Sequence, residues 1–358
     1  MSFWASFWDP KYWLPRDVEW HQIPPKFNDL IYPLYFAIPL VILRILWESF
    51  VGVTWLWLRG HYGNTSLFEN IWDHLSGGFA GNSKAKRILE CFSRFSFYFS
   101  AFTYGVIVLF DKSWLWDVKD CWIGYPFHPV PNSIWWYYML EAGFYYSLII
   151  ASIWDVKRSD FWELMIHHIV TIALLSTSWA INFVRVGTLV LVSHDVADIF
   201  LEGGKFVRYD LNNSTVTYIL YGCFFSSWII TRLMYYPFVV IRSALFEAAN
   251  LIQPDYDVWD FTQIPYVPRG IIMLLAALLL LHIFWTFIIL KIFAKAISGK
   301  TPKDVRSDSE SDFEDSDDRR KLVTKKREKK RVSDKSVDND SEDEPESPKS
   351  RRRIPRKE

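Results

Sequence analysis

Six ionisable residues stand out within two successive apolar stretches of this chain: His167, His168, Arg185, His194, Asp195 and Asp198. Titratable groups at membrane depth are expensive, so they face a protein interior and carry function. Adjacent histidines, followed one segment later by a His-Asp-x-x-Asp run, are parts for moving protons in a lipid-buried site. A histidine partnered by a carboxylate is held in one tautomer and acts as a general base. Attacking a thioester directly, it forms an acyl-imidazole and splits the reaction in two. The second carboxylate suits binding or deprotonating an amine, and a thiolate leaving group needs little acid help.

Helical spacing sets how these groups can meet. His167 and His168 are about 100° apart on a helix, so they cannot point the same way. Thr171 falls one turn after them. In the next segment His194, Asp198 and Glu202 repeat every fourth residue, Asp195 precedes Asp198 by three, and Lys205 follows Glu202 by three. That is one polar stripe on an otherwise apolar helix. A short turn around Asn182 to Arg185 makes the two helices antiparallel neighbours, with both clusters nearer the cytosolic side. Three histidines and two aspartates would also suffice for one zinc. Against a metal centre, no HxxHH box occurs, and His21, His61, His74, His128 and His282 sit elsewhere. No metal is expected.

The elements that must position these groups are membrane spans. The chain has 358 residues, 51% hydrophobic and 18% aromatic, with 19 Trp and zero formal net charge. Spans of roughly 20 apolar residues are expected at about 31–57, 95–111, 132–153, 163–181, 184–203, 216–240 and 270–297, with 241–252 extending the sixth or lying in the interface. The fold class is therefore all-α and polytopic, with about seven transmembrane helices and a disordered, charged C-terminal tail. Lys84, Lys86, Arg87, Arg94, Lys157, Arg158, Lys205 and Arg208 bias one set of loops toward the cytosol. This places the N-terminus in the lumen and the C-terminus in the cytosol. The sequons at Asn64, Asn212, Asn213 and Asn339 then face the cytosol and stay unused. Cys91, Cys121 and Cys223 lack metal or CxxC spacing, and a disulfide framework is not expected. No cleavable signal peptide is evident.

The tail, 298–358, alternates acidic-serine and basic blocks. Ser307, Ser309, Ser311 and Ser341 each precede an acidic residue by three, as an acidophilic kinase prefers, and Ser347 precedes a proline. Phosphate adds roughly −2 charge at each site. The runs Lys325–Arg331 and Arg351–Lys357 suit anionic lipid headgroups.

From His167 to Tyr209 the chain reads HHIVTIALLSTSWAINFVRVGTLVLVSHDVADIFLEGGKFVRY. The pattern HHxxT, then SxxxNxxRxG, then HDxxDxxLExxKxxxY closely resembles the ceramide synthase signature. KRILECFSRFSFY resembles the segment that precedes the family's TLC membrane domain, so the resemblance covers roughly 86–297. It implies a TLC-type helix bundle around a narrow buried chamber in the endoplasmic reticulum membrane. Residues 1–85 would then form an N-terminal segment with the first span and a cytosolic loop. The implied activity is transfer of a fatty acyl group from acyl-CoA, a co-substrate, to the amine of a sphingoid base. No further cofactor is implied. By position, His167, His168, Asp195 and Asp198 take the catalytic places, with His167 as acyl acceptor or base and His168 and Asp195 supporting it. Arg185, His194, Glu202 and Lys205 match supporting or substrate-binding positions. Partners are acyl-CoA, a sphingoid base, the bilayer, a homo- or hetero-dimeric copy and an acidophilic kinase. Some relatives carry a homeobox-like insert; 59–94 is too short for about 60 residues, so no nucleic acid is expected. In some relatives the last luminal loop influences acyl-chain choice, and its counterpart is roughly Asn250 to Gly270. The rival readings are a non-catalytic TLC-like lipid-binding or translocation protein, which has no need to bury HH and HDxxD, and a metal-dependent lipid hydroxylase.

Overall fold

A computed structural model describes residues 7–297. The phosphorylation sites and basic runs expected in the tail lie outside the described residues. Within them there are helices and turns and no strand. The long helices are α1 (Phe27–Leu58), α3 (Lys84–Leu109), α4 (Asn132–Ala151), α5 (Phe161–Ala180), α6 (Val184–Phe206), α7 (Ser214–Ile252) and α8 (Val267–Ile297), with a short α2 (Leu67–Leu75) between the first two. All seven expected stretches are thus helical. Five of them, α1, α3, α5, α7 and α8, are long and apolar enough to cross a membrane. α4 and α6 fall below that apolarity, the first diluted by Trp and Tyr, the second by its ionisable stripe.

Local sequence explains the helix boundaries. Ser66 and Glu69 form a reciprocal capping box at the start of α2. Ser83 accepts from the Lys86 amide and starts α3 eleven residues before the expected span. Asn213 caps α7 in the same way. Pro237 lacks an N–H to donate, and the α7 hydrogen bonding widens over Ile229–Ile241. The helix nevertheless runs on to Ile252, so 241–252 extends the sixth segment.

α4 packs on α5, α5 on α8, α8 on α7, α7 on α6, α6 on α3, and α3 back on α4, while α1 lies outside against α4. This is a ring of six helices. α5 and α6 are joined by the expected tight turn but touch only lightly. Asn182 makes the turn in the left-handed region (φ 61°), which Asn tolerates better than most residues. Its buried side-chain amide donates to the carbonyls of Pro126 (2.6 Å) and His128 (3.0 Å). The two helices then diverge, and the space between them is the chamber.

Ion pairs within the bundle tie its outer helices together. Glu48 of α1 is fully buried and accepts from Arg44 (2.8 Å), Lys86 (3.3 Å) and Ser93 (2.7 Å). Arg44 also forks onto Asp155, after α4, at 2.8 and 2.9 Å, and Arg94 reaches the same carboxylate at 2.8 Å. Lys86 and Arg94 are therefore part of this network rather than free loop charges. Burial opposes ionisation of Asp155, but Arg44 and Arg94 outweigh it and hold the carboxyl below the usual range.

His128 gives this architecture a pH dependence. Burial, reinforced by Arg185, lowers its imidazole to about 4, opposed by the Asn182 backbone carbonyl, which favours the protonated ring. The unfolded chain therefore binds more protons between pH 6.5 and about 4, so stability falls as pH falls through that window. The melting temperature should drop there in the wild type and drop less in His128→Phe. Equal slopes in both proteins would contradict this.

Candidate active site

The two histidines of α5 meet different surroundings. His168 is buried, while His167 is half-buried and lines the chamber with its Nδ1 sealed in protein and unpartnered. Their rings lie 5.7 Å apart. Tyr145 of α4 contacts both, at 6.2 and 6.0 Å between ring centres, and Trp285 of α8 stands edge-on to His167 at 5.4 Å. The Thr171 hydroxyl donates to the His167 carbonyl (2.8 Å), which leaves both imidazoles free of it.

α6 and α7 supply the opposite wall. His194 Nδ1 lies 2.7 Å from the Val190 carbonyl. A carbonyl only accepts, so Nδ1 carries the proton and Nε2 keeps its lone pair. That Nε2 is buried and unpartnered. Arg232 of α7, itself buried, donates to Asp198 (2.9 Å), to the His194 carbonyl (2.7 Å) and toward His282 Nε2 (3.3 Å). Its guanidinium also lies over Trp228 at 5.1 Å. His282 of α8 packs against His194 at 5.0 Å and Tyr236 at 5.2 Å. Asp198 keeps 22% of its side chain accessible. Among the described residues no group of three or more His, Cys, Asp or Glu side chains is placed to hold a metal ion.

The structure thus brings together His167, His168, His194, Asp195 and Asp198. Arg185 is not with them. It sits nine residues before His194, roughly 14 Å along the helix. There it donates to the Asp120 carbonyl (2.6 Å) and lies over Trp114 at 4.6 Å. Glu202 pairs with Lys205 at 2.7 Å, one turn beyond Asp198, in the field of Arg158 and Arg94. Four residues absent from the sequence-based set join the cluster: Glu141, Tyr145, Arg232 and His282. His282, expected to sit elsewhere, is corrected to a direct neighbour of His194. The available signal was a lone ionisable residue inside an apolar run, which marks function by default in a membrane.

The chamber runs from His167 and His194 between α5 and α6, past Thr171, Leu175 and Ser178 to Phe183, closed by Ile271, Leu275 and Leu278 of α8. From His167 to Ser178 it follows α5 for roughly 16 Å. One end is polar, and the remainder is apolar. A Cβ on Gly187 would lie 2.6 Å from the Tyr138 hydroxyl, which hydrogen-bonds Ser178 across the chamber. Gly187→Ala should therefore displace Tyr138 and cost about 1–3 kcal/mol of stability. An unchanged melting temperature would contradict that placement.

A second cavity continues beyond Phe183 and Ile271, which line both, and reaches Gln253, Tyr256 and Pro265. The loop bounding it is organised by one buried side chain. Arg269 donates to the carbonyls of Asp257, Val258, Asp260, Gln263 and Pro265, at 2.6–3.4 Å, and stacks on Tyr256.

A family model described as the TLC domain matches residues 87–291. Ceramide synthase hyl-1 of Caenorhabditis elegans is 61% identical over 310 residues, covering 85% of this chain and 84% of that protein. The chain belongs to the ceramide synthase family. Ceramide synthase hyl-2 of the same organism is 40% identical over 319 residues (86% and 94% covered), and human ceramide synthase 5 is 31% identical over 359 (88% and 89%). As a ceramide synthase family member with this helical architecture, it is a multi-pass membrane protein and an acyltransferase.

Proposed function

We propose that this chain transfers a fatty acyl group from acyl-CoA to the amine of a sphingoid base, sphinganine or sphingosine, giving dihydroceramide or ceramide. The observation that carries the reading is a half-buried histidine, His167, at the polar end of an apolar chamber in a ceramide synthase family chain. The acyl chain lies along α5 and α6, with its thioester beside His167. His167 acts as acyl acceptor or as base. In the first case its nitrogen bonds the carbonyl carbon, the C–S bond breaks, and the thiolate leaves. His168 and Asp195 support it, and Asp198, oriented by Arg232, faces the incoming groups. The membrane is that of the endoplasmic reticulum, with a luminal N-terminus, a cytosolic C-terminus and acyl-CoA arriving from the cytosol.

The test is purified full-length protein in nanodiscs with sphinganine and a panel of acyl-CoAs, followed by mass spectrometry. N-acyl sphinganine is expected, with a preferred chain length. No product at any chain length from folded protein would contradict the reading. In the same assay Arg269→Met should change the ratio of longest to shortest products several-fold, because five carbonyls lose their common donor and the loop bounding the second cavity loosens. An unaltered ratio would separate the loop from chain selection.

A further inference from the structure

Glu141 is a buried ionisable group with no part in the acyl-transfer step so far described. It sits at mid-length of α4 with 1% exposure, and neither carboxyl oxygen has a donor. Facing it is Asp195 of α6, also 1% exposed, close enough for the two carboxyls to hydrogen-bond when one is protonated; its Oδ2 has no other partner. The Tyr137 hydroxyl, one turn earlier on α4, is buried without a partner beside the same two carboxyls. Among the described residues no lysine, arginine or histidine forms an ion pair with either carboxyl. Tyr145, one turn after Glu141, connects this pocket to His167 and His168 through its ring.

Two apposed carboxyl groups with no donor other than each other cost several kcal/mol to bury as anions. They become tolerable with a cation or a proton between them. An alkylammonium brings one positive charge and three N–H donors. Two carboxyls and a hydroxyl present enough acceptors for all three. This is complementary to a long-chain primary amine and indifferent to a long-chain alcohol.

We propose that Glu141, paired with Asp195, is the amine-binding residue: it holds the substrate ammonium and receives its proton. The proposal rests on the N-acyltransferase reading and names the site of its second substrate. In the step, one ammonium proton passes to the Glu141–Asp195 pair. The freed amine nitrogen bonds the acyl carbonyl carbon as the bond from that carbon to sulfur, or to the His167 nitrogen, breaks. The second amine proton ends on the departing atom.

The test compares wild type with Glu141→Gln, as full-length protein in nanodiscs. Thermal stabilisation is read with octadecylamine against octadecanol, and KM is read for sphinganine and for acyl-CoA. Wild type should be stabilised more by the amine than by the alcohol. Glu141→Gln should lose that preference and raise the sphinganine KM at least 10-fold, with the acyl-CoA KM within twofold of wild type. Because the substitution relieves an unpartnered buried carboxyl, its own melting temperature should not fall. Retained amine preference, an unchanged sphinganine KM, or a Glu141→Gln chain that fails to fold would each overturn the assignment. Amine preference lost in Glu141→Gln, with no N-acyl product from wild type, would instead keep the amine site and remove the acyltransfer reading.

Discussion

Arg232→Met should lower stability by about 3–5 kcal/mol and N-acylation at least 100-fold. The guanidinium bonds Asp198 and the His194 carbonyl and faces His282, all inside the bundle. Methionine keeps much of the volume against Trp228 but leaves the Asp198 charge uncompensated. Loss of one partner of a buried pair costs far more than the pair contributes when intact. Activity falls as well because misplacing a reacting group by about 1 Å can cost on the order of 100-fold. Arg232→Lys separates the two effects. A lysine ammonium restores the charge but not the fork, so it should recover more stability than turnover. Melting curves and kcat on the same preparations check this, and near-wild-type turnover in Arg232→Met would contradict it.

His167→Ala should reduce acylation by about 1,000-fold or more, within the range that a positioned acid–base or nucleophilic group supplies. Its cost in stability should be small. His167 is half-buried, its Nδ1 makes no hydrogen bond, and its ring meets Tyr145 and Trp285 only edge-on. His168→Ala should behave differently, because that ring is enclosed by protein. It should lower the melting temperature more and turnover less. Similar losses of turnover from both substitutions would contradict the distinction between a chamber-facing and an enclosed histidine.

The helices and the core of the site can be read in the sequence because each leaves a local signal. Apolar runs mark the helices, and the HH and HDxxD motifs mark where along α5 and α6 the ionisable side chains lie. Arg185 misleads because signature position says nothing about depth: it belongs to the far end of α6, bonded to the Asp120 carbonyl. Glu141, Arg232 and His282 have no spacing to betray them. Each is one ionisable residue in an apolar run, and each gains meaning only when distant stretches close the ring. The early start of α3 is hidden for a similar reason. Lys86 and Arg94 read as loop charges until Glu48 and Asp155, remote in sequence, pair with them inside the bundle. The splay of α5 from α6 depends on Asn182 and on the insertion of α8 side chains, neither of which follows from hydropathy.

The proposed function places acyl transfer at His167, at the polar end of the chamber. The most direct measurement is N-acyl sphinganine formation by wild type and His167→Ala, side by side, on preparations of matched melting temperature and with the acyl-CoA that wild type uses best. Product from the wild type alone, with the variant reduced by about 1,000-fold or more, is the expected result. Comparable product from both would show that the chemistry occurs elsewhere in the molecule.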